Sequence, residues 1–519
     1  MAPLSHELIA VLDGLSGPDY AKIVGTLRPK IVENTEALDA IGARGPVSPQ
    51  DRVAAVADAA EALFDAVSRP SQNPAEHQSL MKKNWSTLCW LPAGCIIRPR
   101  TVPEVALALR LVTHFRTTFS VRSNGHIAEP GFSSVGESGV LLDLGRLNQI
   151  VLSDDKSVVH VGPGATWDGV YEALEKHELT AVGGRIEGVG VAGLILGGGM
   201  SHFSNAWGMA CDSVRNFEVL PADSSVVQAN ATENADLFWA LKGGGANFGI
   251  VTRFDLDTYP DYKIWVSVRT FAAQEVPKVM EAVTTYQKAM ENDENLGFNA
   301  VGVPGFVSTA VIYRGHLDEA HPACKVFDDI EAVAAPPPVN TTQAALCAKL
   351  CEDFKLDGKA KRRVGTLSLK PDADAYIDFF NLLCEAHAKE EFHLQFVLQP
   401  LGKAAVHQGR RRGGNCMNIS ETEQTWAVVM GEWTEQRHDE AAQSAVDKLR
   451  SQFELAAKSR GRDLDLLYMN DACAYQDPLG SYGAETVDKL WAVSRKYDWK
   501  GVFQELQNDG FLLSKTVGL

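Results

Sequence analysis

Eight glycines fall within seventeen residues of this chain, in the segment Gly183-Gly184-Arg185-Ile186-Glu187-Gly188-Val189-Gly190-Val191-Ala192-Gly193-Leu194-Ile195-Leu196-Gly197-Gly198-Gly199. A backbone without side chains lets a flat or charged ligand come within hydrogen-bonding reach of successive N–H groups. Tight turns that need positive φ account easily for one or two of these glycines and poorly for eight. The segment therefore predicts a glycine-lined groove that holds a ligand.

Residues 188–193 also match the GxGxxG fingerprint of dinucleotide-binding proteins, and Asp212 lies near the distance expected for a ribose-binding acid. That fingerprint must close a strand and open a helix whose first turn carries the pyrophosphate. Here Gly197, Gly198 and Gly199 follow almost at once, and each glycine costs a helix about 1 kcal/mol relative to alanine. The Rossmann interpretation is therefore disfavoured.

Two further loops are rich in small residues. Arg122-Ser123-Asn124-Gly125-His126 ends a predicted strand that starts at Phe119, and its consecutive N–H groups suit a diphosphate. Lys242-Gly243-Gly244-Gly245-Ala246-Asn247-Phe248-Gly249-Ile250-Val251 lacks the GK[ST] ending of a P-loop, so nucleotide hydrolysis is not indicated. All three loops are therefore suited to bind a large anionic ligand.

The predicted secondary structure changes along the chain. Residues 1–80 are largely helical, and from Pro99 to about Pro260 short β-branched strands alternate with helices. Thr101 begins one of these helices with the Thr-x-x-Glu form of a capping box. From 262 to 450 long helices are interleaved with longer strands, such as the alternating run at 392–399. This order indicates several domains, in keeping with a length of 519 residues.

Composition and charge exclude several classes of protein. The formal net charge is −17 with the acidic residues scattered, which disfavours binding to nucleic acid or to anionic membranes. The nine cysteines offer no CxxC pair and no Cys/His spacing typical of a metal site. No basic and then apolar leader is visible from Met1, and no run of about 18 apolar residues spans a membrane. We expect a cytoplasmic protein without a metal.

The glycine loops occur in a fixed order with particular flanking motifs. These motifs are Gly131-Phe132-Ser133-Ser134, Val140-Leu141-Leu142-Asp143-Leu144, Gly162-Pro163-Gly164-Ala165-Thr166-Trp167, Trp207-Gly208-Met209-Ala210-Cys211-Asp212 and, near the end of the chain, Tyr468-Met469-Asn470-Asp471. The set resembles the FAD-binding domain of the vanillyl-alcohol oxidase/PCMH flavoprotein family, and most of all its berberine-bridge-enzyme-like branch with fungal members. The resemblance covers roughly residues 85–260 and 405–519.

The resemblance implies an α+β fold. Its parts are a PCMH-type FAD-binding domain of two α/β subdomains and a substrate domain whose antiparallel sheet, covered by helices, roofs the flavin ring. On this basis we expect an N-terminal helical segment at 1–80, the FAD-binding domain at 81–260 and the substrate domain at 261–450. Residues 451–519 are expected to form a C-terminal segment that returns to the FAD domain.

FAD is the cofactor that the resemblance implies. Relatives link the flavin through the histidine of an RSGGH loop, which corresponds here to His126, with Asn124 in place of the usual glycine. Ile186 stands where relatives with a second, cysteinyl link carry cysteine, so a single covalent link is expected. Val189 corresponds to the position that controls access of O2. The residues expected to contact FAD are Arg122, Ser123, Asn124, Gly125, His126, Gly188, Val189, Gly193, Leu194, Gly198, Gly199, Trp207, Gly249, Ile250, Val251 and Asn470.

The residue that accepts the substrate proton is left open. Relatives with a glutamate base carry it near the strand equivalent to 413–415, where this chain has no carboxylate until Glu421. A base needs a polar side chain near the reacting atoms with a suitable pKa, and a tyrosine serves if a neighbouring cation lowers its pKa. The candidate catalytic residues are Tyr468, Tyr482, Asn415 and Gln399.

The resemblance implies an FAD-dependent oxidoreductase with a small-molecule substrate. We expect an oxidase that takes a hydride from a small alcohol, phenol or secondary metabolite and passes electrons to O2 to give H2O2. One alternative is a flavin-dependent monooxygenase that hydroxylates or dearomatises a phenol. Another is a redox-neutral cyclase on the same fold. The substrate itself is not readable from the sequence, because the resemblance does not extend over the inserted substrate domain.

Overall fold

The computed structural model describes residues 2–15, 17–45, 48–354 and 359–516, and these residues form three β-sheets with helices packed on them. The sheets have four, five and nine strands, and each is built from a continuous portion of the chain. Helices and strands both contribute extensively, so the predicted α+β fold is confirmed.

The first sheet is four-stranded, with strands β1 (Val67–Ser68), β2 (Cys95–Ile97), β3 (Phe119–Arg122) and β4 (Val140–Asp143) in the order β1-β2-β4-β3. β2, β4 and β3 run parallel, and β1 pairs antiparallel with β2. Its helices are α1 (Leu4–Gly14), α2 (Ala21–Glu33), α3 (Thr35–Gly42), α4 (Pro49–Leu63), α5 (Pro74–Met81) and α6 (Val102–His114).

The N-terminal helices form a layer on this first sheet. Leu8 of α1, Ile31 of α2 and Leu107 of α6 are fully buried in one apolar cluster with residues of β3 and β4. The predicted cap of α6 is present, since the Thr101 hydroxyl accepts a hydrogen bond from the Glu104 amide. The first 80 residues thus close one face of the sheet whose β3 leads into the loop 122–126.

The second sheet is five-stranded and antiparallel, with strands β5 (Ile150–Leu152), β6 (Val158–Val161), β7 (Val214–Leu220), β8 (Val227–Asn230) and β9 (Ile250–Asp257) in the order β5-β6-β9-β7-β8. Its helices are α7 (Trp167–Glu175), α8 (Val191–Leu196), α9 (Ser204–Trp207) and α10 (Ala235–Leu241). α7 begins directly after Thr166, whose hydroxyl is its N-cap.

The third sheet is antiparallel throughout, and its strands are β10 (Lys263–Ala272), β11 (Leu296–Val303), β12 (Phe306–Arg314), β13 (Ala332–Ala334), β14 (Val339–Thr342), β15 (Lys361–Leu369), β16 (His393–Leu401), β17 (Gln424–Trp433) and β18 (Asp463–Leu464). The order is β13-β10-β12-β11-β16-β17-β15-β18, with β14 beside β10. The helices of this portion are α11 (Val276–Met290), α12 (Gln343–Phe354), α13 (Ala373–His387), α14 (Lys403–Arg411) and α15 (Asp439–Ser459).

Alternation along β16 gives the third sheet two different faces. Leu394, Phe396 and Leu398 are fully buried in the cluster formed with α11, α13 and α15. The intervening residues, among them Gln399, project from the opposite face, as successive side chains of a strand must. The helices therefore cover one face of this sheet, and the face that carries Gln399 is turned towards the glycine segment.

The C-terminal segment passes from the third sheet back to the other two. The predicted boundary between 450 and 451 falls within α15, and β18 still pairs with β15. Then α16 (Pro478–Ser481) and α17 (Ala484–Tyr497) pack into the cluster around the second sheet. Phe503 lies in the core of the first sheet, and Gln507 forms an isolated bridge with Phe119 of β3.

Candidate active site

The first predicted ligand loop meets the glycine segment, and the third joins the same segment where the Gly245 amide donates to the Leu196 carbonyl at 2.9 Å. The Ser123 hydroxyl donates to the carbonyl of Pro163, and the Asn124 amide donates to the carbonyl of Ala165 at 2.9 Å. A Cβ atom added to Gly190 would lie only 2.9 Å from the Asn124 amide nitrogen. The first loop and the glycine segment are therefore in direct contact, and a side chain at residue 190 would displace the Asn124 amide.

Arg122 anchors the first of these loops from below. Its guanidinium donates to Asp143 at 2.8 Å and to the Asn84 side chain at 2.9 Å, and both charged groups are buried. Burial raises the pKa of Asp143, but the charge and hydrogen bond of Arg122 hold that pKa below its ordinary value. The Arg122 side chain thus fixes the loop, and Gly125, at φ +69°, turns the backbone after it.

The glycine segment forms an open groove. After the bridge between Gly190 and Thr166 a single short helix, α8, runs to Leu196, and Gly198 and Gly199 then take φ values of +107° and +79°. No strand precedes α8 directly, so the rejection of the Rossmann interpretation agrees with the local structure. Gly188 and Gly193 are exposed, and no described atom lies within 4 Å of a Cβ added to either.

Asn470 ties the C-terminal segment to this groove. Its side-chain amide donates to the carbonyl of Gly193 at 3.0 Å, and its oxygen accepts from the amide of Gly199 at 3.2 Å. Val189 and Leu194 are half-buried and pack against the core behind the groove. One asparagine therefore connects the middle of α8 to the turn that follows it and fixes the groove wall.

His126 lies at the end of the first loop and is half-buried. Its imidazole stacks on the indole of Trp85, with ring centres 4.5 Å apart and an angle of 13° between the planes. The Arg362 guanidinium lies 4.3 Å from the centre of the same indole. Burial and the nearby Arg362 charge lower the pKa of His126 to about 4, so the imidazole is neutral near pH 7. A neutral imidazole keeps a ring nitrogen with a free lone pair.

A hydrogen-bonded chain of three side chains links the glycine segment, the third sheet and the C-terminal segment. Arg185 donates to the Gln399 side-chain oxygen, and the Gln399 amide donates to Asp471 at 2.8 Å. Burial raises the pKa of Asp471, although the Gln399 hydrogen bond and the Arg185 charge oppose this. Asp471 directly follows Asn470 and is partly exposed, so a carboxylate with a raised pKa stands beside the groove.

The two candidate tyrosines are in a different environment from the one expected. The Tyr468 hydroxyl accepts from the Met200 amide at 2.6 Å, and its ring stacks on Trp426. The Tyr482 hydroxyl donates to the Gly243 carbonyl at 3.0 Å. Burial raises the pKa of both phenols, which is the opposite of what a tyrosinate base requires. Neither tyrosine therefore has the lowered pKa on which a role as base would depend.

The other predicted site residues have varied positions. The Asn415 amide donates to Asp212 at 3.0 Å, in the loop that follows α14. Trp207 is buried and stacks on Tyr259 with ring centres 4.4 Å apart, so its ring belongs to the core. The residues 249–251 begin β9 and are buried between the first two sheets. A Cβ on Gly249 would lie 2.7 Å from the Leu220 carbonyl.

Three residues of this region were not among the sequence candidates: Trp85, Arg185 and Asp471. The sequence does carry a signal for Asp471, because it adjoins Asn470 in the motif at 468–471. Arg185 lies inside the glycine segment itself. Arg185 and Asp471 both bond Gln399, which is more than 200 residues from Arg185 along the chain. Only the folded chain therefore reveals these two contacts.

The groove has the properties that a flavin dinucleotide requires. Its floor at Gly188 and Gly193 is free of side chains and open, which suits a flat ring. His126 and Asp471 lie at loops that border it. The residues present therefore fit FAD.

The comparisons with known proteins agree with this fit. A family model described as an FAD binding domain matches residues 93–230. FAD-dependent monooxygenase yanF of Aspergillus niger is 35% identical over 451 residues, which are 85% of this chain and 76% of that protein. The glucooligosaccharide oxidase of Acremonium strictum has the same fold, with a TM-score of 0.73 at 18% identity over 88% of this chain and 98% of that one.

A second solved structure, BBE-like 1 of Physcomitrella patens, superposes with a TM-score of 0.73 at 16% identity, over 90% of this chain and 99% of that one. Fold and groove together define a PCMH-type flavoprotein. The chain belongs to the FAD-dependent oxidoreductases of the berberine-bridge-enzyme-like branch, together with fungal relatives. The family named from the sequence motifs is confirmed.

The described residues contain neither a membrane-spanning helix nor a metal-binding cluster. Across 2–15, 17–45, 48–354 and 359–516, no helix is long and apolar enough to cross a membrane. In the same ranges no cluster of three or more His, Cys, Asp or Glu side chains is arranged to hold a metal ion.

The ion pair beneath the first loop yields a prediction. Asp143→Asn leaves the buried Arg122 charge without its counter-charge and is expected to destabilise the fold by about 3 kcal/mol. Denaturant unfolding measures this loss, with the exposed Asp154→Asn as the matched control. Equal stability of the two variants would show that the pair does not hold the loop.

Proposed function

We propose that this protein is an FAD-dependent oxidase that removes two electrons from a small alcohol, phenol or secondary metabolite and passes them to O2, giving H2O2. The observation that carries this proposal is the open glycine floor at Gly188 and Gly193, with the carboxylate of Asp471 beside it. One surface accepts a flat redox ring, and an adjacent group is able to take the proton that an oxidation releases.

In this proposal FAD lies along the three converging loops. The backbone of 123–125 faces the diphosphate, the start of β9 at 249–251 borders the adenosine half, and the groove at 188–199 receives the ring. Asn470 supports this assignment because it stiffens the groove wall through Gly193 and Gly199. When bound, the flavin supplies a two-electron acceptor.

We further propose a covalent bond between a ring nitrogen of His126 and the flavin. The low pKa of His126 supports this, because only a neutral imidazole offers a lone pair for such a bond. Trp85 holds the imidazole in one plane by stacking on it. Ile186 is half-buried and has no thiol, so a single tether is proposed.

Asp471 is proposed as the proton acceptor. In an alcohol oxidation the hydroxyl proton passes to the Asp471 carboxylate while the C–H bond gives up its electron pair and its hydrogen, leaving a carbonyl product. Gln399 holds the carboxylate in position through its amide, and Arg185 holds Gln399. The raised pKa of Asp471 makes its carboxylate a stronger base than an exposed aspartate.

The fate of oxygen separates this proposal from a second candidate. Val189 is half-buried next to the exposed Gly188, and this supports access of O2 to the groove. A different observation favours a monooxygenase: the relative that is 35% identical is named an FAD-dependent monooxygenase. A monooxygenase would insert an oxygen atom into the product, whereas an oxidase would release that oxygen as peroxide.

A panel of alcohols, phenols and sugars tests the proposal. For compounds that bleach the flavin under anaerobic conditions, an oxidase is expected to release one H2O2 for each substrate consumed in air. Peroxide assays and product masses measure this ratio. Little peroxide together with a product heavier by one oxygen would instead identify the monooxygenase, and turnover without bleaching would identify a redox-neutral cyclase.

His126→Ala tests the tether. Acid-precipitated wild-type protein is expected to stay yellow, whereas the variant is expected to lose its colour to the supernatant while keeping its fold. The absorbance of the washed precipitate measures this, and His160→Ala, at a histidine on β6 of the second sheet, is a matched control. Acid-stable colour in the His126 variant would disprove the tether.

Asp471→Asn tests the base. We expect anaerobic flavin bleaching to slow by about 100- to 10,000-fold, the usual contribution of a general base. In the wild type the bleaching rate should fall as the pH drops through the raised pKa of Asp471, because protonation removes the carboxylate. Stopped-flow absorbance measures both effects.

The matched control for this prediction is Asp465→Asn, at an exposed carboxylate six residues earlier in the chain. It should bleach at the wild-type rate with the wild-type pH profile. An Asp471 variant with an unchanged rate and an unchanged acid limb would exclude Asp471 as the base, whatever its effect on stability.

A further inference from the structure

A small, partly open cavity lies beside Arg185, where the exit of the glycine segment meets the third sheet. It has a volume of about 10 Å³, close to the minimum that admits one water-sized group. Its walls include Arg185, His202, Asn205, Met290, Phe298 and Pro400. Arg185 also bonds Gln399, so one side chain is shared between this polar cavity and the chain that ends at Asp471.

Two buried polar atoms at the polar cavity lack partners. His202 is 8% exposed and Asn205 is 3% exposed. Within the described part of the chain, neither the His202 Nε2 nor the Asn205 Nδ2 has a hydrogen-bond partner. The Asn205 oxygen is already used, because it accepts from the Gly402 amide at 2.9 Å. Buried polar atoms are nearly always paired, so these two call for a ligand atom.

The charge around the polar cavity favours a ligand atom that accepts hydrogen bonds. Arg185 contributes a positive charge, and the Asn205 Nδ2 is a donor only. Burial, with the Arg185 charge, lowers the pKa of His202 to about 3, so its imidazole is neutral and one ring nitrogen carries a proton. Met290 and Phe298 add apolar walls that exclude water. The cavity therefore offers donors and positive potential and has no carboxylate in its wall.

We propose that the polar cavity binds a carboxylate of the substrate. The assignment rests on the proposed function, since it adds that the molecule oxidised beside Asp471 carries an acid group within reach of Arg185. The volume admits one carboxylate oxygen, which has two lone pairs and a share of the negative charge. That oxygen can accept from the Asn205 Nδ2 and from one further donor while it balances the Arg185 charge, whereas a neutral hydroxyl brings no charge to the site. The rest of the molecule would lie outside the cavity, on the side of Arg185 that bonds Gln399.

Isothermal titration of the purified protein with benzoate and with its neutral isostere benzamide tests this assignment. The wild type is expected to bind benzoate at least about 10-fold more tightly than benzamide, because a hydrogen bond to a charged group is worth more than one to a neutral group. His202→Phe keeps the ring and removes Nε2. Asn205→Asp keeps the acceptor for Gly402 and replaces the donor with a negative charge.

Each variant should weaken benzoate binding by about 10- to 100-fold and weaken benzamide binding by less, because a hydrogen bond to a neutral carbonyl contributes less than one to a carboxylate. His393→Phe, at an exposed histidine of β16 outside the cavity, should change neither. Circular dichroism confirms that each variant is folded. Benzoate affinity that is the same in both variants as in the wild type, or a wild type without preference for benzoate, overturns the assignment and leaves the cavity as a site for a structural water.

The outcomes for the assignment and for the proposed function can be told apart. If benzoate binding depends on His202 and Asn205 but no compound of the panel bleaches the flavin, the carboxylate site stands and the oxidase proposal fails. If neutral alcohols are oxidised while both variants bind benzoate as the wild type does, the oxidase proposal stands and the carboxylate site fails.

Discussion

Close contact between the Gly190 backbone and the side chains of Ser123 and Asn124 is the constraint on which the rest of the site depends. A side chain at residue 190 would displace the Asn124 amide, which joins the first loop to the carbonyl of Ala165. Two other contacts then fix the first loop and the glycine segment in place. The buried pair of Arg122 and Asp143 fixes the first loop on its sheet, and Asn470 fixes the far wall of the groove. These side chains lie beneath the first loop and along the far wall, so they fix the groove without filling it.

The third sheet and the C-terminal segment complete this site from above. Gln399 on β16 reaches Arg185 on one side and Asp471 on the other, so a single amide connects the three portions of the chain. Because Asp471 is largely surrounded by protein, its carboxyl has a raised pKa, and this is why it is proposed as the base in place of a histidine or glutamate. The proposed chemistry therefore depends on where the third sheet meets the groove.

Much of the fold was predictable from the sequence, because local patterns encode it. The cap at Thr101 and the alternation along 392–399 both appear as expected. The proposed base was not predictable. The burial that raises the pKa of Tyr468 and of Asp471 depends on Trp426, Gln399 and Arg185, which are distant in the chain. The surroundings of Trp207 likewise depend on packing, because only the folded chain shows its ring stacked on Tyr259.

The most direct measurement is the visible absorption spectrum of the purified protein, followed by release and identification of any bound chromophore. The account predicts the two absorption bands of an oxidised flavin, with close to one FAD for each chain. Protein without those bands that also fails to take up added FAD would contradict the account, because the bare groove would then have no flat dinucleotide to hold.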